Sequence, residues 1–264
     1  MGQILAITNQ KGGVGKTTTC INLAASLAVT KKRVLLIDFD PQGNATMGSG
    51  IDKINLEYSV YHLLMEECTF SQARQFSESG KFDVLPANGD LTAAEVELLA
   101  VDKKEFRLQR ILHDIDDNYD YVLIDCPPSL NMLTVNALAC CNGVIIPMQC
   151  EYYALEGLSA LIDTIDRIRL RLNPELSIAG ILRTMYDPRS SLTVDVSDQL
   201  VNFFGDRLYR TCIPRNVRLA EAPSYGQPAI VYDRQSKGAV AYLALAGECI
   251  RRAELHQQHG SQKV

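Results

Sequence analysis

Residues 4–19 read ILAITNQKGGVGKTTT, an apolar run that breaks into a glycine-rich segment and then a helix-forming one. A glycine-rich loop between a strand and a helix is what a polyphosphate needs. Gly12, Gly13 and Gly15 tolerate positive φ, so successive backbone N–H groups can turn inward around phosphate oxygens. The helix expected from near Thr17 adds the positive end of its dipole to the same place. Lys16 supplies a point charge for β- and γ-phosphates, and the Thr17 hydroxyl is placed to hold a magnesium ion that bridges them.

Outward from this loop, apolar strand-like runs recur at ILAIT, VLLID, FDVLP, YVLID, GVIIPM and SIAGILR. Segments with helical spacing lie between them, around 17–29, 91–115, 131–141, 155–171, 191–204 and 238–255. Near-continuous apolar strands alternating with helices predict an α/β fold, a mostly parallel twisted sheet with helices on both faces. Ligands of such sheets bind beyond the carboxyl ends of the strands. Two strands end there in carboxylates, VLLIDFDPQGNAT at 34–46 and YVLIDCPPS at 121–129, so Asp38 and Asp125 lie within reach of a nucleotide-bound magnesium. Pro127 and Pro128 would stiffen a loop that senses the γ-phosphate.

The 264 residues carry no linker-like stretch and no internal repeat, only a short polar tail, HQQHGSQKV, so one domain over 1–264 is expected. The N-terminus has neither a cleavable apolar segment nor, with Ala6 at the sixth position, a myristoylation signal, and a cytoplasmic location is expected. Eight cysteines (Cys20, Cys68, Cys126, Cys140, Cys141, Cys150, Cys212 and Cys249) form no CxxC or Cys/His grouping and read as reduced, buried thiols.

The loop departs from the general pattern GxxxxGK[ST], which wants glycine where Gln10 stands, and a second lysine follows, Lys11. What fits is KGGxGK[ST], the deviant Walker A loop, and here the chain resembles the ParA, Soj and MinD ATPases. The resemblance continues through IPMQCEYYALEGL (146–158), ILRTMYDPR (181–189) and IPRNVRLAEAPSYGQP (213–228), close to the bacterial chromosomal ParA/Soj pattern nearly from end to end. It implies ATP and Mg2+ as cofactors, with Lys11, Gly12, Gly13, Val14, Gly15, Lys16, Thr17 and Thr18 around the nucleotide. It further implies a two-protomer ATP sandwich in which Lys11 acts in trans. By the same resemblance Asp125 is the Walker B aspartate, Asp40 orients the attacking water, and Asp38 lies close to the metal. Pro214 and Asn216 should line the adenine, and Glu151 should approach the ribose across the dimer. Pro and Asn also simply favour turns. The nitrogenase iron protein shares the loop and holds an iron–sulfur cluster between subunits. A cluster of that kind would draw on Cys126 and on Cys140 or Cys141.

A formal net charge of −5 argues against nucleic acid, but the charge is uneven. Residues 1–159 hold 12 Lys+Arg against 20 Asp+Glu, a balance of −8, whereas residues 160–264 hold 14 against 11, a balance of +3. The basic end carries Arg183, Arg189, Arg207, Arg210, Arg215, Arg218, Arg234 and Lys237, and backbone phosphates need little else than such charges. The resemblance assigns Arg189 and Arg218 to nonspecific binding of double-stranded DNA by the ATP-bound homodimer. It also implies nucleoid association and a ParB-type centromere-binding partner that stimulates a slow hydrolysis. A MinD-like membrane-associated ATPase is the alternative. It would need a C-terminal anchor with bulky apolar residues, and GAVAYLALAGECIRRAELHQQ reads instead as a helix packed on the core, so no membrane is expected.

Overall fold

The computed structural model describes residues 2–115, 118–152 and 154–260. The chain opens with β1 (Gln3–Ile7), α1 (Lys16–Val29) and β2 (Val34–Asp38). Three short helices follow, α2 (Asn44–Gly48), α3 (Val60–Leu64) and α4 (Phe70–Ala73), and then β3 (Gln75–Ser77) and β4 (Phe82–Leu85). Next come α5 (Leu91–Glu97), α6 (Arg107–His113), β5 (Tyr121–Asp125), α7 (Met132–Cys140), β6 (Gly143–Gln149), α8 (Ala154–Arg171) and β7 (Ser177–Thr184). The last third is α9 (Ser191–Phe204), α10 (Val217–Glu221), α11 (Ala229–Tyr232) and α12 (Lys237–Gly260).

The strands form one sheet in the order β3-β4-β2-β5-β1-β6-β7, parallel except for β3. Because side chains alternate across a strand, β1 sends Ile4 and Ala6 to one face and Leu5 and Ile7 to the other, and both faces are buried. The first face packs with Val60 and Leu64 of α3, Leu133 of α7 and Leu161 of α8, the second with Leu23 and Leu27 of α1 and Tyr242 and Leu245 of α12. Each fully buried leucine contributes about 1.5–3 kcal/mol by removal from water. The register holds the site level: Ile7 lies opposite Asp125, and Asp125 opposite Asp38. The segment after β1 therefore leaves the sheet where the strand order changes direction, beside both aspartates.

The fold class agrees with the sequence, but two helix boundaries differ, and β3 and the short helices α2, α3, α4, α10 and α11 are not among the expected elements. The helix expected over 91–115 breaks into α5 and α6, because Val101 is extended and Lys103 takes a left-handed φ of 51°. After Val101 the run DKK offers no apolar position to hold a continuous helix there. Helix α12 continues to Gly260, through residues read as the start of a polar tail; 261–264 lie outside the described residues. Strand β3 is not expected from the sequence at all, since three residues carry no legible period.

One sheet edge is the three-residue strand β3, and the other, β7, is covered. The antiparallel β3 covers β4, and the chain from Leu208 to Pro214 runs along β7, with Tyr209 N donating to Ile181 O at 2.9 Å and Ile213 N to Arg183 O at 2.9 Å. Among the described residues no helix is long and apolar enough to cross a membrane. The apolar face of α12, with Ala239, Tyr242, Leu245, Ala246 and Cys249, is spent on the core beside α1.

Candidate functional site

Gly13 (φ 75°) and Gly15 (φ 89°) take the left-handed conformation expected of them, and Gly15 caps α1. Gly12 does not, and positive φ is therefore required at only two of the three glycines. Among the described residues a Cβ on Gly12 or Gly13 would meet no heavy atom within 4 Å, so the loop is open on that side. Lys16 is only 7% exposed, and its Nζ donates to Lys11 O at 3.2 Å. Burial lowers its pKa, and the nearby Asp125 carboxylate opposes that shift.

Asp125 is fully buried at the end of β5. Its Oδ1 accepts from Cys20 Sγ at 3.6 Å, while Oδ2 has no hydrogen-bond partner among the described residues. Burial, and then the charge of Asp38, push its pKa well up, while the neighbouring Thr17 draws it down. An orphaned carboxylate oxygen in such surroundings is costly unless a cation or donor completes it. Asp38 is equally buried, and burial raises it to about 6. Its Oδ2 is already engaged by Thr46 N and Thr46 Oγ1, both at 2.7 Å, so Asp38 anchors the start of α2. Asp40 is half-buried, and its Oδ1 accepts from Gln42 N at 2.9 Å. Among the described residues, no group of three or more His, Cys, Asp or Glu could hold a metal ion.

Lys11 and Glu151 are brought together within one chain, Nζ to Oε2 at 2.5 Å, both side chains about half exposed. A cavity of 410 Å³ opens beside the loop, lined among others by Gly15, Thr18, Thr184, Met185, Pro214 and Asn216. Asn216 also does what the turn reading expected, since its Oδ1 accepts from Arg218 N at 3.0 Å and caps α10. Residues 149 and 184 are not expected at the site from the sequence. Gln149 Nε2 donates to Gly13 O at 3.2 Å, and Thr184 Oγ1 to Val14 O at 2.8 Å. No motif spacing marks them, because they arrive from β6 and β7.

The basic surface differs from its expected form. Arg183 is not part of it: NH1 donates to Ser197 Oγ at 2.7 Å and NH2 to Tyr209 O at 3.0 Å. Arg189 is exposed but grips Asp187 through Nε and NH2, both at 2.9 Å, which holds that carboxyl down to about 2. Arg218 sits between Glu221 (2.8 Å) and Asp233 (3.2 Å). Cys126, Cys140 and Cys141 are buried in the core, as read from the sequence, and offer no thiol at a surface that a second subunit could share.

A family profile described as an AAA domain matches residues 2–178. Over 248 residues, 94% of this chain and 98% of the relative, it is 52% identical to the sporulation initiation inhibitor protein Soj of Bacillus subtilis. The chromosome partitioning protein ParA of Myxococcus xanthus is 50% identical over 96% of this chain and 89% of its own. Among solved structures, cobyrinic acid a,c-diamide synthase of Mycobacterium smegmatis, with bound ADP and magnesium, superposes with a TM-score of 0.84 at 37% identity over 96% of both chains. With a deviant phosphate loop, two strand-end aspartates level with it and half of its residues shared with Soj and ParA along nearly the whole length, the chain belongs to the ParA/Soj family of chromosome-partitioning P-loop ATPases.

Proposed function

We propose that residues 1–264 work as one ATPase domain that pairs with a second copy across ATP, holds DNA only in the paired state, and lets go after hydrolysis. The observation that carries this reading is the open glycine loop beside the orphaned Asp125 Oδ2. The nucleotide is ATP and the ion Mg2+. Magnesium neutralises phosphate charge as it develops in the transition state. Thr17 and Asp125 are the residues of this chain that would hold it, and Asp38 supports them by fixing α2. Lys16 exchanges its bond to Lys11 O for the phosphates, which compensates its burial. The cavity at Pro214 and Asn216 accepts the adenine. Lys11 leaves Glu151 to reach the partner's nucleotide, and Glu151 is then free to meet the ribose across the dimer.

Asp40 orients the attacking water. Its carboxylate is tied to the Gln42 amide, and turnover is slow until a ParB-type partner binds. The protein is then cytoplasmic and nucleoid-associated. A small-molecule synthetase, the activity for which the M. smegmatis neighbour is named, is the weaker reading at 37% identity against 50–52% for Soj and ParA. ATP turnover measured alone, with duplex DNA, and with DNA plus the cognate ParB-type protein tests the proposal. The rate rises most with both present. ATP-independent DNA retention, or no stimulation by either, overturns it.

Arg189 and Arg218 bind backbone phosphates, each after sharing or leaving its carboxylate. Arg189→Ala and Arg218→Ala then weaken binding uniformly across sequences, and each flattens the salt slope by about 0.9 for the phosphate it no longer neutralises. Asp187→Asn releases Arg189 and strengthens binding by about twofold or more, the scale of an exposed ion pair. Salt titrations by fluorescence anisotropy check all three. Unchanged slopes for both alanine variants would remove the basic C-terminal surface from the DNA site.

A further inference from the structure

Two side chains from β6 and β7, the next two strands of the sheet after β1, hold two successive carbonyls of the phosphate loop. Gln149, the last residue of β6, donates to Gly13 O at 3.2 Å, and Thr184, the last residue of β7, donates to Val14 O at 2.8 Å. A trans peptide is planar, with its C=O and N–H pointing in opposite directions. The Gly13 carbonyl shares its peptide with the Val14 N–H, and the Val14 carbonyl shares one with the Gly15 N–H. Drawing both carbonyls toward β6 and β7 therefore turns both N–H groups the other way.

We propose that Gln149 and Thr184 are positioning residues for the ATPase reaction, setting the direction of the Val14 and Gly15 amides before any nucleotide arrives. The inference rests on the reading of this loop as the phosphate site. Glycines at φ 75° and 89° have little intrinsic preference for one peptide orientation, so side-chain bonds decide it. The two anchors differ in weight. Thr184 and Val14 are both buried, so no water replaces a lost bond there, whereas Gly13 is exposed and Gln149 partly so. Gln149 Nε2 also lies 2.8 Å from Met185 Sδ, in a residue held at a left-handed φ of 49°, which ties the same amide to the wall of the cavity.

The test uses the whole chain and compares Thr184→Val, which keeps shape and removes the donor, with Thr184→Ser, which restores it, and with Gln149→Ala at the more exposed anchor. Calorimetry with Mg-ATP should show about tenfold weaker binding for Thr184→Val, the loss of one buried hydrogen bond, recovery in Thr184→Ser, and a smaller loss for Gln149→Ala. Magnesium tripolyphosphate, which has no base to enter the cavity, should lose affinity in parallel with ATP. Hydrogen exchange at residues 12–16 without ligand should quicken in both donor-deleting variants. A Thr184 that only lines the base cavity would leave tripolyphosphate binding unchanged. One that only supports the fold would lower Tm and leave Kd unchanged. Either result, or unaltered exchange in both variants, overturns the inference. Failure of the wild type to bind either ligand would instead overturn the phosphate-site reading.

Discussion

Lys16→Ala loses ATP binding outright, whereas Lys11→Ala binds ATP almost normally and fails to dimerise. Lys16 is buried beside Asp125, so its removal strips the phosphates of their nearest counter-ion and leaves Asp125 more isolated. Deleting one partner of a buried charged pair costs about 3–5 kcal/mol, a factor of more than about a hundred in affinity. Lys11 is different in kind. It is half exposed and paired with Glu151, and exposed pairs are worth about 0–1 kcal/mol, so the monomer hardly notices its loss. The effect appears only when a second subunit needs the charge. Calorimetry on both variants, with light scattering in the presence of ATP, separates the two roles, and equal loss of ATP affinity would count against Lys11 acting in trans.

Asp40→Ala stops hydrolysis and keeps assembly, accumulating as an ATP-bound dimer on DNA. Positioned acid–base groups contribute about 10²–10⁴ in rate, and that factor is the expected drop in turnover at saturating ATP. Nothing else is lost with it. Among the described residues the carboxylate bonds only the Gln42 amide, whereas the neighbouring Asp38 carries Thr46 and the start of α2. Asp38→Ala is thus the contrasting variant, in which Thr46 Oγ1 keeps its bond from Ala87 N but loses its own acceptor, and the fold loosens together with the site. Wild-type turnover in Asp40→Ala, read by phosphate release, would assign the water to another residue.

The parts of the site legible in the sequence are those whose chemistry is local. A glycine loop between strand and helix announces itself within eight residues, and a strand that ends in aspartate does so within five. The turn at Pro214–Asn216 is legible as a turn, and Asn216 indeed caps α10. What the sequence hides comes from packing across the sheet. Thr46, Gln149 and Thr184 are ordinary polar residues whose partners lie 8, 136 and 170 positions away. The carboxylates gripping Arg189 and Arg218 are near in sequence, yet charge counting treats a cation as free until its rotamer is seen. The break after α5 is hard to read because the helical pattern resumes on both sides of DKK, whose want of an apolar anchor matters only once the flanking helices are packed.

The two sheet edges, one short and one covered, have a bearing on how copies of this chain could meet. An open strand edge invites any passing strand to zip on, without regard to nucleotide, and such growth has no natural stopping point. Here β3 is three residues long, and the 208–214 segment seals β7 along its bonds from Tyr209 and Ile213. That same segment delivers Pro214 to the cavity beside the phosphate loop. Backbone pairing is thereby closed off along β7 and offered only three residues at β3, which fits the proposed function, where contact between copies falls to the loop end of the sheet and depends on a small molecule.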